Sequence, residues 1–430
     1  MHSLISLLRS HPKKNSLFIL LTGALGLSLL YLRFQMPLAA FGALHSFVFY
    51  FSLGLFLAGS IGLISAIFNW EKETCINVGL LFGSFYLCVV SAEIFLRVKG
   101  VGGSYMEGRS SKYVSVYPHK NADVDFTIQP YFVPFLQTPE YKFPRLRNNF
   151  GFRDADFEVK KDSAKMLIQT YGDSFTEGDG APQDSSYPSL LRQILKNDAG
   201  AQNISIQNFG VCGSDPGFTF KQMEDIGLEL KPNVAVITYT SFDFTADFLT
   251  RGGLERFKNG YWQALQGPSW EWLYAASYIF RLVANSAFGV THTNFFLTEK
   301  EKETRLNFLK PKWNEVFQRI ALLAKQHHLK ILLLKKPERS EVVNNTYLCN
   351  FSFFEQMADT ISGFKRFDLL PYYRDSILMD KNNTEKYYWR KDGHHNSTGY
   401  NVMAKGVYVG LQKSYPEIFT TLDTAKMMHE

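Results

Sequence analysis

Residues 171–180 read YGDSFTEGDG, and residues 390–400 read RKDGHHNSTGY. The first stretch carries Ser174 just past an apolar run. The second carries Asp392 two residues before the first of two adjacent histidines, His394 and His395. A serine hydroxyl is a poor nucleophile until a base takes its proton. One imidazole of the pair can be that base, and a carboxylate two residues earlier can hold the ring through its other nitrogen. That fixes the tautomer and stabilises the imidazolium. A third stretch, NFGVCGSDPG at 208–217, places Gly213 where a backbone N–H can approach a reacting oxygen with no side chain in the way. Each piece has a plainer reading. GDS is a common turn or helix cap, DGHHN suits a polar turn before a helix, and Gly213 can be an ordinary loop glycine. No GxSxG elbow and no HExxH occurs, and two adjacent histidines point different ways, so no metal site is expected.

These groups matter only if the fold brings them together. Residues 165–171 (KMLIQTY), 203–209 (NISIQNF), 233–239 (NVAVITY) and 330–334 (KILLL) are short apolar runs that predict buried strands. Helical spacing follows in residues 187–195, 218–230, 313–328 and 399–411. Strands alternating with helices imply a mostly parallel sheet covered on both faces, a three-layer α/β/α sandwich of flavodoxin-like type. In such sheets the reacting groups collect beyond the carboxyl ends of the strands. YGDSFTEG, NFGVCGSDPG, TYTSFDF and RKDGHHNSTGY all follow strands or precede the last helix, so the topology gathers them at one rim.

Taken together, GDSFTEG, NFGVCGSDPG and DGHHNSTGY resemble the blocks of the SGNH, or GDSL-type, hydrolase family, over about residues 145–412. The resemblance implies Ser174 as nucleophile and one oxyanion N–H from Ser174 itself, with Gly213 as the second donor. In this family the catalytic His stands five positions before a Gly. Counting back from Gly399 gives His394, with Asp392 as its partner and His395 held in reserve. The spacing of two between Asp392 and His394 is shorter than the three of many members. One block departs from the pattern. In TYTSFDF, Phe242 fills the slot where the family carries an asparagine that donates to the oxyanion, and Ser241 or Thr240 is a candidate substitute. RNNFGFRDADF at 147–157 is similar to a segment that leads into this domain in envelope-associated members.

Three apolar stretches precede all this, at residues 17–32, 37–68 and 75–96. A spanning helix needs about 20 mostly apolar residues, and no clear cleavage site follows the first stretch. Three retained spans are expected, with the lipid bilayer as partner. Arg9, Lys13 and Lys14 outnumber the single Arg33 of the first loop, so the N-terminus is expected in the cytoplasm and, after three crossings, the later residues outside it; two crossings would return them to the cytoplasm. Glu93 and Arg97, four apart, are expected to pair at the interface.

The 430 residues thus divide into an anchor (1–97), an irregular linker with a few short strands such as VSVY and VDFTI (98–145), and an SGNH-type domain (146–420). A helical, aromatic insertion around 244–310 is expected beside its core, with capping a substrate cleft or resting on the membrane as the other readings of its aromatics. Net charge is +6, and without basic runs among aromatics this argues against nucleic-acid binding. Cys75, Cys88, Cys212 and Cys349 form no zinc pattern, and at most a Cys212–Cys349 bridge could form. Glu177 and Asp179 read as loop carboxylates. Asn203, Asn344, Asn350, Asn382 and Asn396 begin N-x-S/T triplets of the kind chance produces. The expected activity is hydrolysis of O-acyl, for instance acetyl, esters on an envelope glycan or lipid, without a cofactor. The alternatives are transfer of the acyl group to a polysaccharide, or a degenerate carbohydrate-binding domain.

Overall fold

The computed structural model describes residues 12–35, 43–99, 113–115, 135–157, 166–197, 203–249, 253–258, 261–263, 270–289, 299–377 and 384–419. The chain forms two compact units, residues 1–114 with 262–298, and residues 115–261 with 299–430.

The first unit is built on three helices, α1 (Pro12–Gln35), α2 (Ala43–Ile67) and α3 (Lys72–Lys99). Each is long and apolar enough to cross a membrane. Phe18, Leu81 and Phe85 stand exposed on their outer faces, which suits a hydrocarbon solvent. Helices α1 and α2 pack closely where Gly23 and Gly59 leave no side chain between the two backbones. Two helices from the middle of the chain, α7 (Glu271–Ala276) and α8 (Tyr278–Phe288), belong to this unit. The aromatic segment of the expected insertion at 244–310 thus packs with apolar helices of this unit. The expected Glu93–Arg97 pair is corrected. Glu93 turns to backbone N–H groups at the start of α8, whereas Arg97 bonds Ser46 Oγ and lies over the Tyr278 ring.

The second unit holds a five-stranded, wholly parallel sheet. Its strands are β1 (Met166–Tyr171), β2 (Ile204–Asn208), β3 (Val234–Tyr239), β4 (Lys330–Lys335) and β5 (Phe364–Asp368). Their spatial order is β5-β4-β3-β1-β2. Strand β3 is buried along its whole length, as the unbroken apolar run VAVITY requires of a strand covered on both faces. Polar Gln169 enters this core only because Gln207, the Gly227 carbonyl and the Tyr171 hydroxyl satisfy its amide.

On one face α5 (Tyr187–Asn197), α12 (Leu369–Ile377) and α13 (Ser397–Ser414) cover Ile168, Val234, Val236, Leu332 and Leu334. On the other lie α6 (Pro216–Asp225), α9 (Glu299–Gln326) and α11 (Ser352–Asp359), where Tyr239 meets Phe317 and Phe354 edge-on. The chain leaves β1 for β2 on one side and then crosses to β3 on the other. The crevice between the carboxyl ends of β1 and β3 is therefore the switch point where such sheets bind ligands.

The first three sequence-read strands and β4 stand within one or two residues of their expected bounds. Helix α9 begins at Glu299, earlier than expected, and runs through Pro311. Strand β5 escaped the reading because FKRFD lies at the sheet edge and is mostly polar or exposed. The expected strand VDFTI lies outside the described residues.

Candidate active site

Strand β1 ends at Tyr171, and Asp173 caps a single helical turn, α4 (Ser174–Glu177), by accepting the Phe175 N–H at 2.9 Å. This turn sets Ser174 at the crevice. The loop after β2 is pinned against it, because the Val211 N–H (3.0 Å) and the Ser214 hydroxyl (2.8 Å) both donate to the Gly172 carbonyl. Gly213 lies between those two anchors with φ +70°, a conformation that suits glycine.

The last block closes the site. His394 Nε2 lies 2.7 Å from Ser174 Oγ, and His394 Nδ1 lies 2.5 Å from Asp392 Oδ1. Asp392 Oδ1 also accepts the Tyr141 hydroxyl at 3.1 Å, while the Asp392 and Lys391 N–H groups donate to Glu140 Oε2, each at 2.8 Å. The short Asp-to-His spacing works because Gly393 adopts φ +86°, bending the chain so that both side chains face one way. Asn396 starts α13 by accepting the Thr398 and Gly399 N–H groups, so this N-x-S/T asparagine is a helix cap.

Charge follows this geometry. Burial alone would lower the His394 pKa, but the Asp392 hydrogen bond and the charges of Asp179, Asp392 and Asp173 outweigh it. The imidazole pKa stands above its ordinary value. For Asp392, burial pushes up, but the bonds and charge of His394 and the Tyr141 bond prevail, and its pKa is lowered.

His395, the reserve base, has a different part. It is fully buried, 2.9 Å from the Tyr373 hydroxyl and 3.2 Å from the Tyr387 carbonyl, and burial, with Lys336 next, drives its pKa well below the ordinary value. It belongs to the core under the loop.

Glu177, the last residue of α4, and Asp179, in the loop after it, both face inward. Glu177 is buried. Its Oε1 accepts from Arg145 Nε at 2.8 Å, and its Oε2 accepts the Cys212 N–H at 2.6 Å, joining the first two blocks. Asp179 is buried too; among the described residues its Oδ1 accepts no hydrogen bond, and Arg145 Nη2 lies 3.9 Å from it. Burial and the neighbouring Glu177 push the Asp179 pKa up to about 6. Arg153 grips this loop by donating to the carbonyls of Glu177, Gly178 and Ala181. Cys212 and Cys349 are both free thiols.

Where a third oxyanion donor was sought, Phe242 is half exposed. Ser241 Oγ accepts the Cys349 N–H at 3.3 Å and Thr240 Oγ accepts the Asp243 N–H at 3.1 Å, so both hydroxyls brace the loop.

Several supporting residues went unread in the sequence. Glu140, Tyr141 and Arg145 precede the block where chemistry was sought, and nothing in their spacing marks them. Lys336, wholly buried, sets its ammonium over the Phe175 ring and 3.1 Å from Glu338 Oε1. Its position directly after β4, at the same rim, was the available signal.

No family model matches the chain, and no curated protein matches it. Among solved structures, it is similar to a two-domain esterase active on acetylated mannans, at 12% identity over 60% of this chain, with TM-score 0.37. The chain spans about half of that esterase, 51% of its length. It is also similar to an acetyl xylan esterase (15% identity, 57% of this chain, 100% of that one, TM-score 0.35). A third is the acetylxylan esterase Axe2 from Geobacillus stearothermophilus (13% identity, 58% of this chain, 95% of that one, TM-score 0.34). At such identities and scores the functional reading rests on the geometry of this chain.

Proposed function

We propose that this protein is a membrane-anchored serine ester hydrolase of SGNH type that cleaves O-acyl esters, acetyl esters among them, on an envelope glycan or lipid. The observation that carries this reading is the continuous chain from Ser174 Oγ through both nitrogens of His394 to Asp392, at 2.7 Å and 2.5 Å. A serine, a base and an orienting acid in hydrogen-bond contact beyond strand ends are what acyl transfer to serine requires.

In this mechanism His394 Nε2 takes the Ser174 proton as Oγ attacks the acyl carbonyl carbon. Asp392 accepts the Nδ1–H and stabilises the imidazolium. The Ser174 and Gly213 N–H groups face the developing oxyanion. His394 then returns the proton to the departing sugar or lipid oxygen, leaving an acyl-Ser174. Water, deprotonated by His394, releases the acid. No cofactor takes part. The three apolar helices support a substrate near a membrane, and the basic N-terminal tail supports an extracytoplasmic active site.

Full-length protein in detergent, given an aryl acetate and an O-acetylated glycan, tests this. Release of phenol and acetate by the wild type and none by Ser174→Ala is the expected result. Equal rates for both proteins overturn the proposal.

A further inference from the structure

Helices α7 and α8 sit at one end of the three-helix bundle. Trp272 meets Tyr31, near the end of α1, and Phe49, near the start of α2, edge-on at 6.2 and 5.8 Å. The Ser46 hydroxyl, also near the start of α2, donates to the Ala276 carbonyl at 2.5 Å. Glu93 lies in the last two turns of α3. This is the end at which the chain leaves α3.

Glu93 acts there as a latch. Its carboxylate is buried and accepts the Tyr278 and Ile279 N–H groups at 2.9 and 3.0 Å, with the Tyr50 hydroxyl at 2.9 Å. It thereby satisfies two of the backbone donors that a helix start leaves open, from a different helix. The Ser277 hydroxyl, 3.3 Å from Glu93, caps the Phe280 N–H. Arg281 closes the turn from the other side, donating to the carbonyls of Tyr274 and Ala275 at the end of α7.

With Tyr278, Arg281 and Ala284 turned inward, α8 presents Leu282, Val283, Ser286 and Ala287 outward, and Phe288 stands exposed at its C-terminal end. This face carries no charge, and it belongs to the same unit as the exposed apolar side chains of the three helices. Trp270 and Trp272, both partly exposed, lie around the same end, and tryptophan is enriched where a protein meets the membrane–water interface. We propose that α7 and α8 are a fourth membrane-contacting element, held at headgroup level by Glu93, with Leu282, Val283 and Phe288 in contact with lipid acyl chains. A basic face reading anionic headgroups is not what this helix offers; its partner is the apolar edge of the bilayer. The anchor then comprises two separate parts of the chain. This inference does not depend on the hydrolase reading.

The test places a fluorescent amino acid by codon suppression at Val283 or Phe288, with Phe18 on α1 as the lipid-facing reference. The full chain is reconstituted in phosphatidylcholine–phosphatidylglycerol vesicles carrying doxyl-labelled chains. Quenching at 283 and 288 of at least about half that at 18, with protection from iodide, is expected for acyl-chain contact. Iodide quenching without doxyl quenching overturns the proposal. Protection from both quenchers overturns it as well, because protein would then cover the face. Glu93→Ala should lower doxyl quenching at 283 about threefold, and Glu93→Gln, which keeps an acceptor oxygen, should retain most of it. Unchanged quenching in Glu93→Ala removes the latch.

Discussion

His394 Nδ1 lies 2.5 Å from Asp392 Oδ1, with only Gly393 between the two residues in the chain. The carboxylate and the ring share one tight turn. Loss of the carboxylate should therefore disturb the chemistry far more than the fold. Asp392→Asn is expected to lower kcat by about 10³–10⁴, as for a base left in the wrong tautomer. Aryl acetate kinetics and thermal unfolding on the same preparation check this, and the melting temperature should move little.

The raised His394 pKa sets the acid side of the pH profile. The base works only when neutral, so kcat/KM should fall as pH drops through a value above the ordinary 6.5. Asp179 is one of the charges that raise it. Asp179→Asn should shift that limb to lower pH.

Asp179 also carries a stability prediction. Its folded pKa, about 6, exceeds the ordinary 3.8, so the folded state favours its protonated form. The stability this gives is fully present below pH 3.8 and lost as pH rises through 6. Above that range the charge is a burden, and Asp179→Asn should stabilise by roughly 1–3 kcal/mol. Unfolding measured at pH 8 and at pH 4 should show the gain only at the higher pH.

Glu177 behaves oppositely. Burial alone would raise its pKa, but the Arg145 charge outweighs burial and lowers it. Glu177→Gln would remove the carboxylate that bonds the buried Arg145 guanidinium and weaken the bond to the Cys212 N–H. A loss of about 3–5 kcal/mol is expected in chemical denaturation.

The two histidines should separate cleanly. His394→Ala is expected to abolish turnover with little change in stability. His395→Phe leaves a buried Tyr373 hydroxyl without its partner, so it should lose about 1–3 kcal/mol of stability. Per folded molecule, His395→Phe should keep its kcat/KM within a few-fold.

The sequence carried the sheet well where strands are buried on both faces, because a run such as VAVITY has no other stable place. It failed at β5, an edge strand whose FKRFD pattern is that of a surface. The meeting of Ser174, His394 and Asp392 was legible because segments that follow strand ends gather at one rim. Their supports were not. Tyr141 and Glu140 reach Asp392 across some 250 residues, and only folding creates that contact. The burial of Glu177 was not legible, because packing beside Arg145 cannot be seen in the local pattern. The same holds for Glu93, whose partner looked to be Arg97 one turn on and is instead the start of a helix 185 residues away.

The central claim is that Ser174 is a nucleophile activated by His394. Its most direct test is reaction of the full-length protein with a fluorophosphonate, followed by peptide mass spectrometry. The account predicts one adduct on the peptide carrying Ser174, absent in Ser174→Ala and strongly reduced in His394→Ala. An adduct on another residue, or equal labelling of wild type and Ser174→Ala, would contradict it.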